Sequence, residues 1–264
     1  MTDLLVDGKP VPEGVEFLRV AWKMEDQCEH ISDDAIAKAG IKAPECLRNL
    51  GTMLSRLDRL SGCFWGCRGG DHRIEFIAGR VSSSARAALR LLRFGFYDES
   101  LAITRTIGET ANLFFLFVHD RSALSEWLSM DEKTRWRTFR PLKVRDALDA
   151  KGLPLPVTHT RYADLSEISA HVTPDTKPNV HHEHQRPSSG GYFKDVSALM
   201  ALNELAAVVA IAAFAAAQLA ELDDVHRKLV SEASHDLLLS VGGVSLATLK
   251  DFPLAAPGNG SQPL

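Results

Sequence analysis

The sequence predicts an all-α protein, a multi-helix bundle that forms one domain. Apolar residues recur at steps of three and four along much of the chain, as on the buried side of amphipathic helices. No alternation of apolar and polar residues lasts long enough to support a sheet. Of the 264 residues, 45% are hydrophobic and 24% are charged, which is enough apolar material for one sizeable core. The net charge of -4 excludes a globally basic nucleic-acid coat protein and a highly charged disordered chain.

Caps and glycines mark the first helices. Residues 1–43 mix proline, glycine and charge with short apolar runs, and we interpret them as a short irregular segment. Pro44 suits a first helical turn, and a stripe of leucines follows it. Asp71 suits the N-cap of the next helix, and Gly95 suits the position just past its end.

The bundle is predicted to occupy residues 44–252. The remaining helices are expected at Asp98 to His119, from Ser122, from Ser129 with an interruption at Pro141, at Tyr162 to His171, at Val196 to Leu222 and at Asp223 to Leu239. A long polar loop, Pro174 to Gly191, lies between the helix that ends at His171 and the helix that begins at Val196. Loops of that length are generally functional or disordered. Residues 253–264 have little to pack and are expected to form a mobile tail.

One segment, Leu205 to Leu219, is apolar on all sides. The uncharged span between Glu204 and Glu221 is 16 residues, and crossing a bilayer takes about 20. We therefore interpret it as a helix in the bundle core or in a subunit interface rather than as a membrane span. The chain begins without the basic and apolar regions of a secretory signal, and its four cysteines are few, so we expect a cytoplasmic protein.

The expected third helix carries the main candidate site. Arg105 and Glu109 lie one turn apart on it, with Asn112 and His119 on the same side, although apolar residues occupy nearly every face. A charged pair on such a helix must be bridged or must face a cleft. One reading is a buried ion pair that fixes helix packing. The other is a polar cleft in which Arg105 holds an anion or phosphate.

The short helix ending at His171 supplies a candidate partner for this pair. A histidine at that position either interacts with the carbonyls of the helix C-terminus or acts catalytically beside the long loop that follows. We take Arg105, Glu109 and His171 as candidate catalytic residues. Candidate ligand-binding residues near them are Asn112, His119 and Tyr162.

A second candidate surface is basic. Between Lys133 and Arg145 the chain carries six cations and no acid, with Trp136 interleaved. Stacking combined with cations suits single-stranded nucleic acid, so Arg137 and Arg140 are candidate ligand-binding residues. The alternative is an ordinary solvated face.

We expect no cofactor and no metal site. The sequence has no Walker motif, dinucleotide fingerprint or nucleophile elbow. Two groups of residues contain ligand types that metals use, but neither has a favourable spacing or set of partners. They are the cysteines Cys28, Cys46, Cys63 and Cys67, and the loop histidines His181, His182 and His184.

The stretch SARAALRLLRFGFYDESLAITRTIGETANLFFLFVHD resembles a widespread bacterial family of uncharacterised helical proteins. In that pattern a glycine separates two helices, the second helix bears an arginine and a glutamate one turn apart, and a tyrosine, leucine, serine and histidine follow downstream. The resemblance spans roughly residues 84–172. The matching residues are Gly95, Arg105, Glu109, Tyr162, Leu165, Ser166 and His171.

Such proteins are similar in organisation to the HEPN superfamily of helical bundles, many of which are dimeric RNases in toxin and antiphage systems. The resemblance implies a homodimer that binds RNA or a nucleotide, and a ribonuclease in stress or phage defence. HEPN nucleases carry an arginine and a histidine on one helix with four to six residues between them, and this sequence has no such pair. Arg105 and His171 would therefore have to meet across helices. The alternative is a non-enzymatic helical module that binds a protein partner or a small anion.

Overall fold

The computed structural model describes residues 5–6, 9–10, 12–40, 42–66, 70–171 and 190–241. Within these ranges the chain is a bundle of ten α-helices with one antiparallel pair of two-residue strands, and the predicted all-α fold is confirmed. The strands are β1 (Leu5–Val6) and β2 (Lys9–Pro10). The helices are α1 (Gly14–Lys38), α2 (Lys42–Ser61), α3 (Arg73–Arg93), α4 (Tyr97–His119), α5 (Arg121–Ser129), α6 (Glu132–Thr138), α7 (Pro141–Ala150), α8 (His159–Ser169), α9 (Asp195–Leu219) and α10 (Asp224–Ser240).

Helix α9 forms the centre of the bundle. It packs most extensively against α4 and also contacts α2, α3 and α10. Its Ala-rich run is buried on all sides, as the sequence predicts for Leu205 to Leu219, because small side chains allow several helices to approach one axis. By length and composition α4 and α9 are each able to span a membrane, but 56% and 72% of their apolar windows are buried inside the protein. Both are therefore compatible with core helices of a soluble protein.

Several predicted boundaries hold and two predicted caps are wrong. Gly95 follows the end of α3 with a φ of 82°, and Pro141 stands in the first turn of α7, as expected. The short helices α5 and α6 do not begin at the predicted serines Ser122 and Ser129. Their N-caps are Asp120 and Asp131, whose carboxylates accept from backbone N–H groups three residues ahead.

The largest correction concerns residues 1–43. Instead of an irregular segment, most of this region is α1, a helix of 25 residues. Arg93 on α3 anchors it, with Nε 2.7 Å from Oδ1 of Asp33 and Nη1 2.9 Å from Oε1 of Glu29. Nη1 of Arg90, also on α3, lies 3.2 Å from Oε1 of Glu29, so two arginines of α3 hold α1 on the bundle.

Three features of the sequence lie outside the described residues. They are Cys67, the polar loop up to residue 189 with its histidines, and the tail at 253–264.

Candidate functional site

Three polar side chains from two helices form a closed hydrogen-bonded group, which we call the α4–α8 triangle. Nη2 of Arg105 lies 3.0 Å from Oε1 of Glu109 and 2.8 Å from the hydroxyl of Tyr162. The Tyr162 hydroxyl donates to the same Glu109 oxygen at 3.0 Å. The spacing of Arg105 and Glu109 on α4 allows their bridge, and α8 brings the tyrosine to it. The structure thus unites three of the candidate residues.

The triangle keeps Arg105 charged. The side chains of Arg105 and Glu109 are each 22% exposed. Burial by itself lowers the pKa of Arg105, but the charge of Glu109 and the hydrogen bond to Tyr162 outweigh it, and the pKa is raised overall. Arg105 can therefore hold an anion as a permanent cation, but it does not exchange protons at neutral pH.

A second arginine, Arg145 of α7, lies against the same tyrosine. Its Cζ is 3.9 Å from the centroid of the Tyr162 ring, and the Cζ of Arg105 is 4.8 Å from it. Both guanidinium groups are within the range of a cation–π contact. Arg145 is only 4% exposed, whereas arginine is rarely buried without a charged partner.

The one hydrogen bond from Arg145 in the described chain goes to a histidine. Its Nε donates to Nδ1 of His159 at 3.4 Å, so that nitrogen acts as the acceptor. Nε2 of His159 then carries the proton and donates to Oδ2 of Asp149 at 2.8 Å. The carboxylate of Asp149 thus reaches Arg145 only through the imidazole of His159, and it does not form an ion pair with Arg145.

The cluster has more positive than negative charge at its centre. Nε of Arg105 and Nη1 of Arg145 are buried, and neither has a hydrogen-bond partner among the described residues. Glu109 bridges Arg105, but no carboxylate in the described part of the chain lies within ion-pair distance of Arg145. Unpartnered buried donors on a cation are costly, and an anion that accepted from them would remove that cost.

Asn112 has a structural partner. Its Nδ2 donates to the carbonyl of Val157 at 3.1 Å, and its Oδ1 accepts from the N–H of Val157 at 2.9 Å. The segment between α7 and α8 is thereby fixed to α4 just before His159 and Tyr162. Asn112, a candidate ligand-binding residue in the sequence, acts in the structure as a residue that positions the cluster.

The two remaining candidate histidines lie apart from the triangle's hydrogen bonds. His119 ends α4, ten residues and about 15 Å of helix rise from Glu109. Its ring packs edge-on against Phe115 at 4.5 Å, and burial lowers its pKa. His171 is exposed beyond the end of α8, where its N–H donates to the carbonyl of Ser166 at 2.8 Å. Neither takes part in the bonds that join Arg105, Glu109 and Tyr162.

The site also contains Arg145 and His159, which the sequence does not single out. Arg145 belongs to the basic run, where its neighbours indicate a solvated surface. A signal was nevertheless present, because Arg145 lies between Val144 and Leu148 on the apolar side of α7. A cation on an apolar face is the same anomaly that singled out Arg105.

The basic run divides into inward and outward members. Arg135 stacks on Trp127 and donates to its carbonyl at 2.7 Å, so it is structural. Arg137 and Arg140 are exposed, and between Arg135 and Arg137 the side chain of Trp136 is 69% exposed. This outward group, Trp136, Arg137 and Arg140, is the α6–α7 surface.

The described residues contain no group of three or more histidine, cysteine or acidic side chains arranged to hold a metal. Comparisons of the chain with models of protein families, with curated proteins and with solved structures found no match. The fold and the two-arginine cluster are therefore the observations that bear on function.

Proposed function

We propose that this protein binds a phosphate-bearing ligand, RNA or a nucleotide, at the cluster of Arg105, Tyr162 and Arg145. The observation that carries the proposal is the buried guanidinium of Arg145, which has an unpartnered nitrogen and no carboxylate against it within the part of the chain that the structure describes. A phosphate oxygen accepts several hydrogen bonds, and the fork of an arginine matches it in shape and charge. An anion contacting both arginines would satisfy their unpartnered donors and balance the excess charge.

The α6–α7 surface favours RNA among phosphate-bearing ligands. An exposed tryptophan can stack on a base of any identity, and neighbouring arginines can contact the backbone. Trp136, Arg137 and Arg140 provide this combination, and α7 also carries Arg145.

We place the protein in the cytoplasm, where such ligands are abundant. Cleavage of the bound RNA in stress or phage defence, as the resemblance to HEPN proteins implies, is part of the same proposal, with Glu109 and His171 as its candidate acid–base groups.

The decisive variant is Arg145→Met, because methionine is apolar and similar in length. Replacing a buried, unpaired charge by an apolar side chain is commonly neutral or stabilising, so we expect the fold to persist. Loss of a charge-assisted bond should weaken binding of a fluorescent single-stranded RNA by about tenfold or more in an anisotropy titration. Arg80→Met is the matched control, since Arg80 is an exposed arginine on α3.

Equal RNA affinity in wild type and Arg145→Met would contradict the site, and failure of wild type to bind RNA or nucleotides would contradict the function. Inorganic phosphate as competitor shows whether the phosphate group is recognised.

Incubation of RNA with wild type and with the Arg105→Ala/His171→Ala double variant tests cleavage. Cleavage that both proteins perform equally would exclude the proposed catalytic residues.

A second candidate function is supported by the closed geometry of the triangle. Glu109 already accepts two hydrogen bonds, as expected if the pair only fixes helix packing in a non-enzymatic module that binds a protein partner. Glu109→Gln separates the two cases. The binding proposal requires tighter RNA binding, because a competing carboxylate is removed from Arg105. The structural alternative requires a lower melting temperature with unchanged RNA binding.

We also propose that the protein is a homodimer formed through α1. Its C-terminal half packs on the bundle through Cys28, Ser32 and Ile36, a row spaced by one turn. The same row continues at Met24 and Val20, which are 48% and 40% exposed. The exposed apolar side chains of the N-terminal half lie on two sides of the helix: Phe17, Val20 and Met24 on the side of this row, and Val15, Leu18 and Trp22 on the opposite side.

The exposed apolar area of this half suits a second copy of the chain. Each of the six side chains is between 40% and 63% exposed, which amounts to roughly 600 Å² over the two sides if each leaves about 100 Å² uncovered. A stable interface takes about 800 Å² from each partner. A second copy, related by a two-fold axis and in contact with both sides of the helix, would bury most of this area.

A further inference from the structure

A second site, which shares no residue with the arginine cluster, is a cavity of about 140 Å³. The cavity is bounded by the end of α2, the start of α3 and the turn between α9 and α10. Cys63 and His72 both line it, and Sγ of Cys63 lies 3.6 Å from Nδ1 of His72. This is hydrogen-bonding distance for sulfur, so the thiol lies against a ring nitrogen that is able to exchange a proton with it.

The backbone at both residues is unusual. Cys63 has a φ of 55° and His72 a φ of 50°, and among the described residues these are the non-glycine positions with a positive φ. The left-handed conformation costs such residues on the order of 1 kcal/mol each, and it persists where the surrounding structure imposes it. Here the two strained residues, nine positions apart, are the two whose side chains meet in the cavity.

The surroundings of Cys63 differ from those of the other described cysteines. Cys28 and Cys46 are buried in the core, and burial raises the pKa of both thiols, that of Cys46 to about 11. Cys63 is half-buried and opens on the cavity. The cavity also presents Arg59 beside the acidic groups of Asp71 and Glu75, so its lining is polar without being uniformly charged.

We propose that Cys63 and His72 form a nucleophilic thiol site that reacts with small hydroperoxides. Nδ1 of His72 takes the thiol proton, and the sulfur attacks one peroxide oxygen. An S–O bond forms while the O–O bond breaks, so the sulfur is oxidised to a sulfenic acid and the peroxide is reduced. The leaving hydroxide or alkoxide takes the proton back from His72 and departs as water or alcohol.

The size of the cavity sets the class of oxidant. A volume near 140 Å³ holds only a few molecules the size of water, each of which occupies about 30 Å³ in the liquid. Hydrogen peroxide and short alkyl hydroperoxides fit. A bulky disulfide such as oxidised glutathione does not.

The test is to treat the native chain with hydrogen peroxide in the presence of dimedone, which traps sulfenic acids, and to map the adduct by fragmentation of the peptide that contains Cys63. We expect a dimedone adduct at Cys63, with Cys28 and Cys46 unmodified until the protein is denatured. His72→Asn tests the proton acceptor. Asparagine tolerates a positive φ, so the backbone is preserved.

The rate of labelling should fall about tenfold or more in His72→Asn, as expected on loss of a proton acceptor. His235→Asn, which changes an exposed histidine on α10, should leave the rate unchanged. The wild-type protein by itself tests the reactivity of Cys63. A dimedone adduct on Cys67 instead of Cys63, or a labelling rate at Cys63 no greater than that of free cysteine, would overturn the proposal. Equal rates in wild type and a folded His72→Asn would remove His72 from the site.

Discussion

Asn112 shows how one amide connects the core to the candidate site. Its two polar atoms bond to the N–H and the carbonyl of Val157, and both residues are buried. Val157 begins the short approach to His159 and Tyr162, which contact the two arginines. The position of the site therefore depends on a residue that need not touch the ligand.

We expect Asn112→Ala to destabilise the protein by about 3 kcal/mol, because it leaves two buried backbone groups without partners. Thr106→Ala, at an exposed position on the same helix, should change the free energy of unfolding by less than about 0.5 kcal/mol. Urea denaturation of both variants measures the difference. A loss in Asn112→Ala no larger than in Thr106→Ala would show that solvent reaches Val157.

The candidate site could be predicted where an anomaly stood out from its surroundings. Arg105 and Glu109 are charges on an apolar helix, and the sequence alone marks them. Arg145 is the same kind of anomaly, but five other cations in the same run concealed it. The contact of Arg145 with Tyr162 joins residues of different helices, and no spacing in the sequence encodes that distance.

At the scale of helices, periodicity predicted the core better than the ends. The position of α9 follows from a run that is apolar on every side, because only a central helix can bury it. Helix α1 was missed because prolines and glycines at its start suggested turns, and because much of its apolar face is exposed rather than buried. The start of α5 depends on whether Asp120 or Ser122, two positions apart, is the N-cap, and the sequence pattern does not distinguish them.

The close approach of α4, α9 and the segment before α8 depends on Gly108. A Cβ at this position would lie 2.8 Å from Cγ2 of Val157 and 3.5 Å from Cγ1 of Val208. Alanine favours a helix over glycine by about 1 kcal/mol, but overpacking of a core costs about 1–3 kcal/mol. We therefore expect Gly108→Ala to lower the free energy of unfolding.

Gly51→Ala on α2 is the matched control, because a Cβ there meets nothing within 4 Å. It should raise the free energy of unfolding by up to about 1 kcal/mol. Thermal or urea unfolding of the two variants should thus give opposite signs. Stabilisation by both substitutions would mean that α4 and Val157 can separate without cost.

At the scale of the whole molecule, α1 is the element least explained by a single chain. The apolar row of α1 is buried from Cys28 to Ile36 and exposed at Met24 and Val20. Within the described residues, the helix therefore packs against other helices for only half its length. Exposed apolar patches of this size on soluble proteins generally mark interaction sites. The ion pairs of Asp33 and Glu29 with α3 hold the C-terminal half of the helix on the bundle, and the exposed half continues from it in the same helix.

We therefore expect the wild-type protein to have twice the mass of one chain in light scattering after gel filtration at micromolar concentration. Trp22→Glu should convert it to a monomer, because a charge beside Val15 and Leu18 cannot be buried in an apolar interface without cost. Trp136→Glu is the control, because it places the same charge at a tryptophan of similar exposure on α6. This variant should remain dimeric. A monomeric wild type, or a Trp22→Glu variant that stays dimeric, would exclude α1 as the interface.

A dimer formed through α1 carries two arginine clusters. One RNA strand that bridges both clusters should bind more tightly than a short oligonucleotide that reaches a single cluster.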